Sequence, residues 1–218
     1  MSLISIIDYG SGNIRSVYNA LNFLCGPKKQ KVIVTKKFSE INKSSHIILP
    51  GVGSFESCIN GLKESSLIPI LEEKIIEKKT PFLGICVGMQ MLATTGFENG
   101  KFRGLNWIKG EVKKLKTSTN YLKIPHMGWN KLEFKNKSLF ISELEKKVNL
   151  DQVTAYFVHS YNFFSDVEYE KKIITDYGQE ITAMVEKKNI IGTQFHPEKS
   201  HKFGLAFLET FLKYREFL

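Results

Sequence analysis

A chain of 218 residues with 42% hydrophobic side chains is long enough to enclose an active site, and suits one well-cored domain over residues 1–218 better than two. The net charge of +9 comes from 31 Lys and Arg against 22 Asp and Glu, yet only Arg15, Arg103 and Arg215 are arginines and the lysines are scattered among glutamates in stretches such as "LEEKIIEKK". That surplus reads as solvated faces, which argues against a nucleic-acid partner. No run of about 18 apolar residues is present, and the start, "MSLISIIDYGSGN", reaches Asp8 and a glycine turn before a signal-peptide pattern develops. Cys25, Cys58 and Cys86 form no CxxC pair, so the expectation is a soluble cytoplasmic protein with reduced thiols, no metal and no membrane partner.

In chain order, short apolar runs alternate with amphipathic ones. "LISIID", "KVIVT", "HIILP" and "TPFLGI" are rich in β-branched residues and read as buried strands, while helical periodicity covers residues 14–24, 54–64 and 67–79. The alternation predicts βαβ units around a parallel sheet. A helix is expected from Val87 to Thr95. From residue 101 the pattern changes to "GLNWIKGEVKKL", "IPHMGWNKLEF", "TAYFVHSYNFF" and "EITAMVEKKNIIGTQF", which predict antiparallel strands joined by hairpins. The last predicted element is a helix over His201–Phe217, with Phe203, Phe207, Leu208, Phe211 and Leu212 on one face.

Ligands of an open α/β sheet bind beyond the carboxyl ends of its strands, and three glycine turns fall there: "DYGSGN", "PGVGSF" and "GICVG". The first is no dinucleotide fingerprint, because Arg15 stands where the third glycine belongs and no acidic residue closes a second strand, so no cofactor is expected. The third sets Cys86 between Gly84 and Gly88 at a strand-to-helix break. Such a corner strains its residue and turns the side chain into the cleft, and the dipole of the following helix would favour thiolate over thiol. A free cysteine is as readily a small buried hydrophobe, the reading that suits Cys25 and Cys58.

A cysteine nucleophile needs a base, and "TQFHPEKS" offers one. Pro197 biases His196 to an extended backbone, in which residues two apart share a face, so Glu198 can hold one imidazole nitrogen while the other faces the thiol. A strand-end histidine beside a surface glutamate has the same local sequence. In "ILPGVGSF", Gly51 and Gly53 would let a peptide around Val52 turn an N–H toward the cleft, with the Val87 N–H as second oxyanion donor; the alternative is a plain strand-to-helix loop.

Together and in this order, "DYGSGNIRSV", "ILPGVGSF", "GICVGMQML", "IPHMGWN", "YFVHSY" and "TQFHPEKS" resemble the glutaminase-subunit family of imidazole glycerol phosphate synthase, within the class I, triad-type glutamine amidotransferases. The resemblance spans nearly the whole chain. It implies an α/β, flavodoxin-like open mixed sheet with helices on both faces and antiparallel strands added in the C-terminal half. It also implies Cys86 as nucleophile, His196 as general base and acid, and Glu198 as the group that orients it. The family's glutamine pocket maps onto Gln90, Glu98, Ser160 and Tyr161, with Glu98 toward the substrate ammonium, and its oxyanion strand onto Gly51, Val52 and Gly53, with Val87. Met127, Trp129 and Asn13 would face a synthase subunit, a (β/α)8 barrel, in a heterodimer.

The implied reaction hydrolyses L-glutamine to glutamate and ammonia through a cysteine thioester, the ammonia passing to a partner that forms imidazole glycerol phosphate and AICAR in histidine biosynthesis. No P-loop or other acceptor site is visible in the sequence, so the acceptor chemistry would belong to the partner. A resting state with the Val52 carbonyl turned into the cleft would leave the isolated chain a poor glutaminase. Two departures from the family pattern stand out: "ATTGFENGKF" lacks the usual acidic run, and "CGPKKQK" lengthens the turn before the second strand. They leave open a paralogue that feeds ammonia to a related synthase of surface amino or amidino sugars. A cysteine peptidase or γ-glutamyl hydrolase would share the elbow but have no use for "PHMGWN".

Overall fold

The computed structural model describes residues 2–26, 30–116 and 122–214. Strands β1 (Ser2–Ile7), β2 (Gln30–Thr35), β3 (His46–Gly51) and β4 (Phe82–Cys86) are joined by α1 (Ile14–Cys25), α2 (Phe38–Asn42), α3 (Phe55–Glu64) and α4 (Ile68–Glu72). After β4 come α5 (Val87–Gln90), β5 (Thr95–Gly96), β6 (Phe102–Arg103), β7 (Gly110–Lys114), β8 (His126–Lys131), β9 (Glu133–Phe134) and α6 (Leu139–Glu145). The chain continues through β10 (Thr154–His159), β11 (Tyr161–Ser165), β12 (Lys171–Asp176), β13 (Glu180–Lys187), β14 (Ile190–Thr193) and α7 (His201–Leu212).

The local chemistry explains these elements. Every residue of β3 is buried, as a central parallel strand covered on both sides requires. Helix α1 buries Val17, Leu21 and Cys25 at four-residue spacing. Helix α3 starts at Ser54, whose hydroxyl accepts the Ser57 N–H at 3.1 Å.

Among the described residues the large sheet runs β2-β1-β3-β4-β14-β13-β12-β9, parallel from β2 to β14 and antiparallel beyond. The order reverses between β1 and β3, because the chain leaves β1 toward β2 and returns to β3 on the other side. Right-handed crossovers in opposite directions put helices on opposite faces and open a crevice at the carboxyl ends there. Two smaller sheets, β10-β8 and β11-β7-β5-β6, complete the second half. The parallel strands and the β13–β14 hairpin match the sequence expectation.

Several boundaries differ from that expectation. "TAYFVHSYNFF" is not a hairpin: β10 pairs with β8 and β11 with β7. Only Ser160 lies between them, too few residues for the chain to fold back on itself. The short helices α2 and α6 and strand β12 carry too little periodicity to be predicted. The helix expected over Val87–Thr95 closes at Gln90 because the Met91, Leu92 and Ala93 carbonyls are taken by the N–H groups of Leu105, Trp107 and Asn106 at 2.8, 3.0 and 3.0 Å. Helix α7 ends at Leu212; residues 215–217 of the predicted helix, and 27–29 of the lengthened turn, lie outside the described residues.

The β8–β10 ladder sets His126 directly opposite His159. His159 Nδ1 donates to the Tyr161 carbonyl at 2.8 Å, which leaves Nε2 to accept from His126 Nδ1 at 2.9 Å, and His126 Nε2 accepts from the Asn130 amide at 3.3 Å. The His126 ring is stacked between Phe157 and Tyr177. Burial pushes His126 down to about 4 and His159 down to about 3, so both are neutral at pH 7. Because the folded state refuses protons that the unfolded chain accepts, the stability this pair contributes is lost as pH falls from about 6.5 toward 4, by roughly 1 kcal/mol per histidine and pH unit. Urea unfolding at pH 7, 6 and 5 should show a steeper acid loss in the parent than in His159→Gln. Equal slopes would mean the pair is not held neutral.

Candidate active site

Cys86 ends β4 at φ 56°, ψ −112°, a conformation that costs a non-glycine residue about 1–3 kcal/mol and persists only where the surroundings over-determine it. Here they do. A Cβ on Gly84 would lie 2.6 Å from the Gly88 carbonyl oxygen, and one on Gly88 would lie 1.9 Å from that of Leu49. The backbones of β3, β4 and α5 therefore touch directly, and the corner between them has no room to relax. The single turn of α5 is too short to lend the helix-dipole support expected of a longer helix.

The imidazole comes from the neighbouring strand. His196 follows β14, its N–H bonded to the Tyr156 carbonyl at 2.9 Å and its carbonyl to the Ser200 hydroxyl at 2.7 Å. Pro197 then opens a 3₁₀ turn, so Glu198 reaches His196 by that turn and not along an extended chain. His196 Nδ1 lies 2.9 Å from Glu198 Oε1, which also accepts the Asn13 amide at 3.2 Å. The Glu198 side chain is fully buried and His196 nearly so. Burial opposes the charged imidazole, but Cys86 and Glu198 outweigh it and push His196 up to about 10. Its buried Nε2 has no hydrogen-bond partner among the described residues.

Two amides complete the wall behind the sulfur. Gln194 Nε2 donates to Cys86 Sγ at 3.6 Å, and its Oε1 accepts from Gln90 Nε2 at 2.8 Å; Gln90 also reaches the Tyr161 carbonyl at 3.2 Å. Gln194 escaped the sequence reading, although it stands two residues before His196 in the same extended run.

A cavity of about 320 Å³ opens in front of Cys86 and His196. Of the residues singled out from sequence, Val52, Gly53, Val87, Gln90, Glu98, Ser160 and Tyr161 line it, joined by Pro125, Val158, His159 and Lys199. Gly51 lies against the Val87–Gly88 backbone, and Glu198 stands behind His196. Burial raises the Glu98 carboxyl, opposed by the Phe55 N–H that Oε2 accepts at 2.6 Å. Met127 and Trp129 lie outside the cavity, exposed at 65% and 46% on one face of β8, and Asn13 turns inward onto Glu198. The expectation of a Val52 carbonyl turned into the cleft is not met. That carbonyl accepts from Ser11 Oγ at 2.7 Å and from the Cys58 thiol at 3.5 Å, and neither residue lines the cavity.

A sulfur on a strained corner, an imidazole against it and a buried carboxylate behind the imidazole can attack an acyl carbon and return a proton to the leaving group. Glu98, in the lining of the same cavity, suits a substrate that carries a cationic group.

Comparison with known proteins points the same way. The sequence model of the family described as glutamine amidotransferase class-I matches residues 5–213. The imidazole glycerol phosphate synthase subunit HisH of Zymomonas mobilis is 44% identical over 97% of this chain and 95% of its own length. Its namesake in Pelagibacter ubique is 42% identical over 96% and 98%. Among solved structures, that of PurLQS from Thermotoga maritima superposes with a TM-score of 0.71 over 98% of this chain and 99% of its own, at 17% identity, a likeness of fold alone. With its elbow, its His-x-Glu pair and a match from the first strand to the last helix, the chain belongs to the class-I glutamine amidotransferase family.

Proposed function

We propose that the chain is a single amidotransferase domain serving as the glutaminase subunit of an imidazole glycerol phosphate synthase in histidine biosynthesis. The observation that carries this is the meeting of Cys86 with the buried His196–Glu198 pair at a cavity that Glu98 also lines. Relatives 40–44% identical along nearly their full lengths, named as the HisH subunit of that synthase, support the pathway.

In this reading glutamine binds with its amino group toward Glu98, against Ser160, Tyr161 and Gln90. The Cys86 thiolate attacks the carboxamide carbon, and backbone N–H groups along Gly51–Gly53 and at Val87 stabilise the oxyanion. As the C–N bond breaks, the proton held by His196 goes to the departing nitrogen, which leaves as ammonia. His196 then takes a proton from water, hydroxide adds to the γ-glutamyl thioester, and glutamate is released with the thiolate restored. Glu198 stabilises the imidazolium at each stage, and the Asn13 amide keeps that carboxylate in place.

Ammonia in neutral water is mostly ammonium and not nucleophilic, so its value depends on delivery to an acceptor. A synthase partner, a (β/α)8 barrel forming a heterodimer, would cover the exposed Met127 and Trp129 edge and receive it. The cytoplasm, where thiols stay reduced, is the compartment that suits Cys86.

Cys86→Ser should lose about 10⁴-fold or more in glutamine hydrolysis while the complex still makes product from ammonium salt. Substantial glutamine-driven turnover in that variant would remove Cys86 as nucleophile. Glu198→Gln keeps a hydrogen-bond acceptor but not the charge, so a loss of about 10²–10⁴-fold, smaller than for His196→Ala, is expected in kcat. Parental rates in Glu198→Gln would reduce Glu198 to a packing residue.

A further inference from the structure

Gln194 touches the nucleophile and has no part in the chemistry above. Strands β4 and β14 run parallel with Thr193 opposite Ile85, so the next residues along each chain, Gln194 and Cys86, come side by side at the strand ends. Gln194 is fully buried, and its backbone N–H bonds to the Ala183 carbonyl at 2.9 Å. An amide side chain shut away from water needs a partner at each of its two ends.

Those partners fix which way it faces. The Tyr161 carbonyl can only accept, so the Gln90 atom 3.2 Å from it is the amide nitrogen, Nε2. That same Nε2 donates its second hydrogen to Gln194 Oε1 at 2.8 Å. With its oxygen committed to Gln90, Gln194 is left with Nε2 toward Cys86 Sγ at 3.6 Å. A flipped amide would set N–H against N–H at Gln90 and a carbonyl oxygen against the sulfur. Accepting at one end also polarises an amide, which strengthens the N–H that it offers at the other.

We propose that Gln194 is a further catalytic residue, whose side-chain N–H stabilises negative charge on the Cys86 sulfur. The inference rests on Cys86 as the nucleophile and adds the group that holds its charge. An N–H is a strong partner for a thiolate and a weak one for a thiol, whereas the Val158 carbonyl, 4.0 Å from the same sulfur, can only accept and suits the thiol. The sulfur loses its charge when the C–S bond to the γ-glutamyl carbon forms, and regains it when hydroxide adds to that carbon and the C–S electron pair returns to sulfur. Gln194 therefore acts twice in each turnover. It favours the thiolate before attack, and it makes the sulfur a better leaving group as the thioester opens.

The experiment measures the pH dependence of Cys86 alkylation by iodoacetamide, read on the labelled Cys86 peptide, in the complex of the parent, Gln194→Leu or Gln194→Met with its synthase partner. Both variants keep the bulk and lose the N–H, and a small uncharged reagent makes no demand on Gln90 or Glu98. The pH of half-maximal alkylation should rise by about one unit in each variant. For glutamine, kcat/KM should fall about ten-fold at pH 6 and by less at pH 9, where thiolate forms without help. Parental ammonium-driven synthesis identifies the variants whose complex is intact. An unchanged alkylation midpoint in an intact variant would overturn the role and reduce Gln194 to a support for Gln90, whose loss raises KM alone. Glutamine hydrolysis surviving in Cys86→Ser would instead overturn the nucleophile assignment, while the alkylation midpoints still report whether Gln194 stabilises the thiolate.

Discussion

The site depends on three backbones packed without side chains between them. At Gly84, Gly88 and Gly51 the ends of β3 and β4 and the start of α5 approach so closely that a single added Cβ would meet backbone at 2.6, 1.9 and 2.6 Å. This contact makes the positive φ of Cys86 the conformation the chain adopts at the end of β4. A strained residue held by rigid neighbours loses no entropy on presenting its side chain to a ligand, because the surrounding fold has already fixed it. The remaining parts of the site are placed relative to that corner: the turn after β3 on one side, and the residues after β14 on the other.

Electrostatics adds the second constraint. A fully buried glutamate beside a nearly buried histidine would be costly if either were unpaired, and Glu198 offsets this by accepting from both His196 and Asn13 through one oxygen. The result is an imidazole held up to about 10 against a carboxylate and a sulfur. The nearby pair, His126 and His159, shows the opposite outcome: two imidazoles with no carboxylate between them, kept neutral by burial. One small region therefore holds one histidine pushed up and two pushed down, and the Cys86 sulfur and the buried Glu198 carboxylate beside the first, against burial alone around the other two, make the difference.

The sequence carried most of the parallel sheet, because buried β-branched strands and amphipathic helices differ in period and the strand ends carry glycines. It carried the corner and the His-x-Glu pair for the same local reasons. It did not carry the length of α5, which is decided by carbonyls of Met91 to Ala93 bonding to a segment more than ten residues away. Nor did it carry the separation of β10 from β11, since strand pairing is a long-range choice and both strands alternate equally well. Gln194 and the Ser11–Cys58 contact were hidden for a third reason. Amide and hydroxyl side chains take their meaning from partners 108 and 47 positions distant, and no periodicity marks them.

Alternation along β8 joins two of these levels. Met127, Trp129 and Lys131 are exposed on one face, while His126 is buried on the other. From His126 the hydrogen bonds pass to His159 and on to the Tyr161 carbonyl, which also receives Gln90. The face proposed to meet the synthase and the rim of the glutamine cavity are thus opposite sides of the same short ladder. Neutral imidazoles suit that position, since each donates through one nitrogen and accepts through the other, giving the chain of bonds from Asn130 to Tyr161 a single direction. A protonated ring would have to donate through both nitrogens and break it. Burial that keeps the pair uncharged therefore also keeps the cavity rim, fixed at Tyr161, in register with the exposed strand.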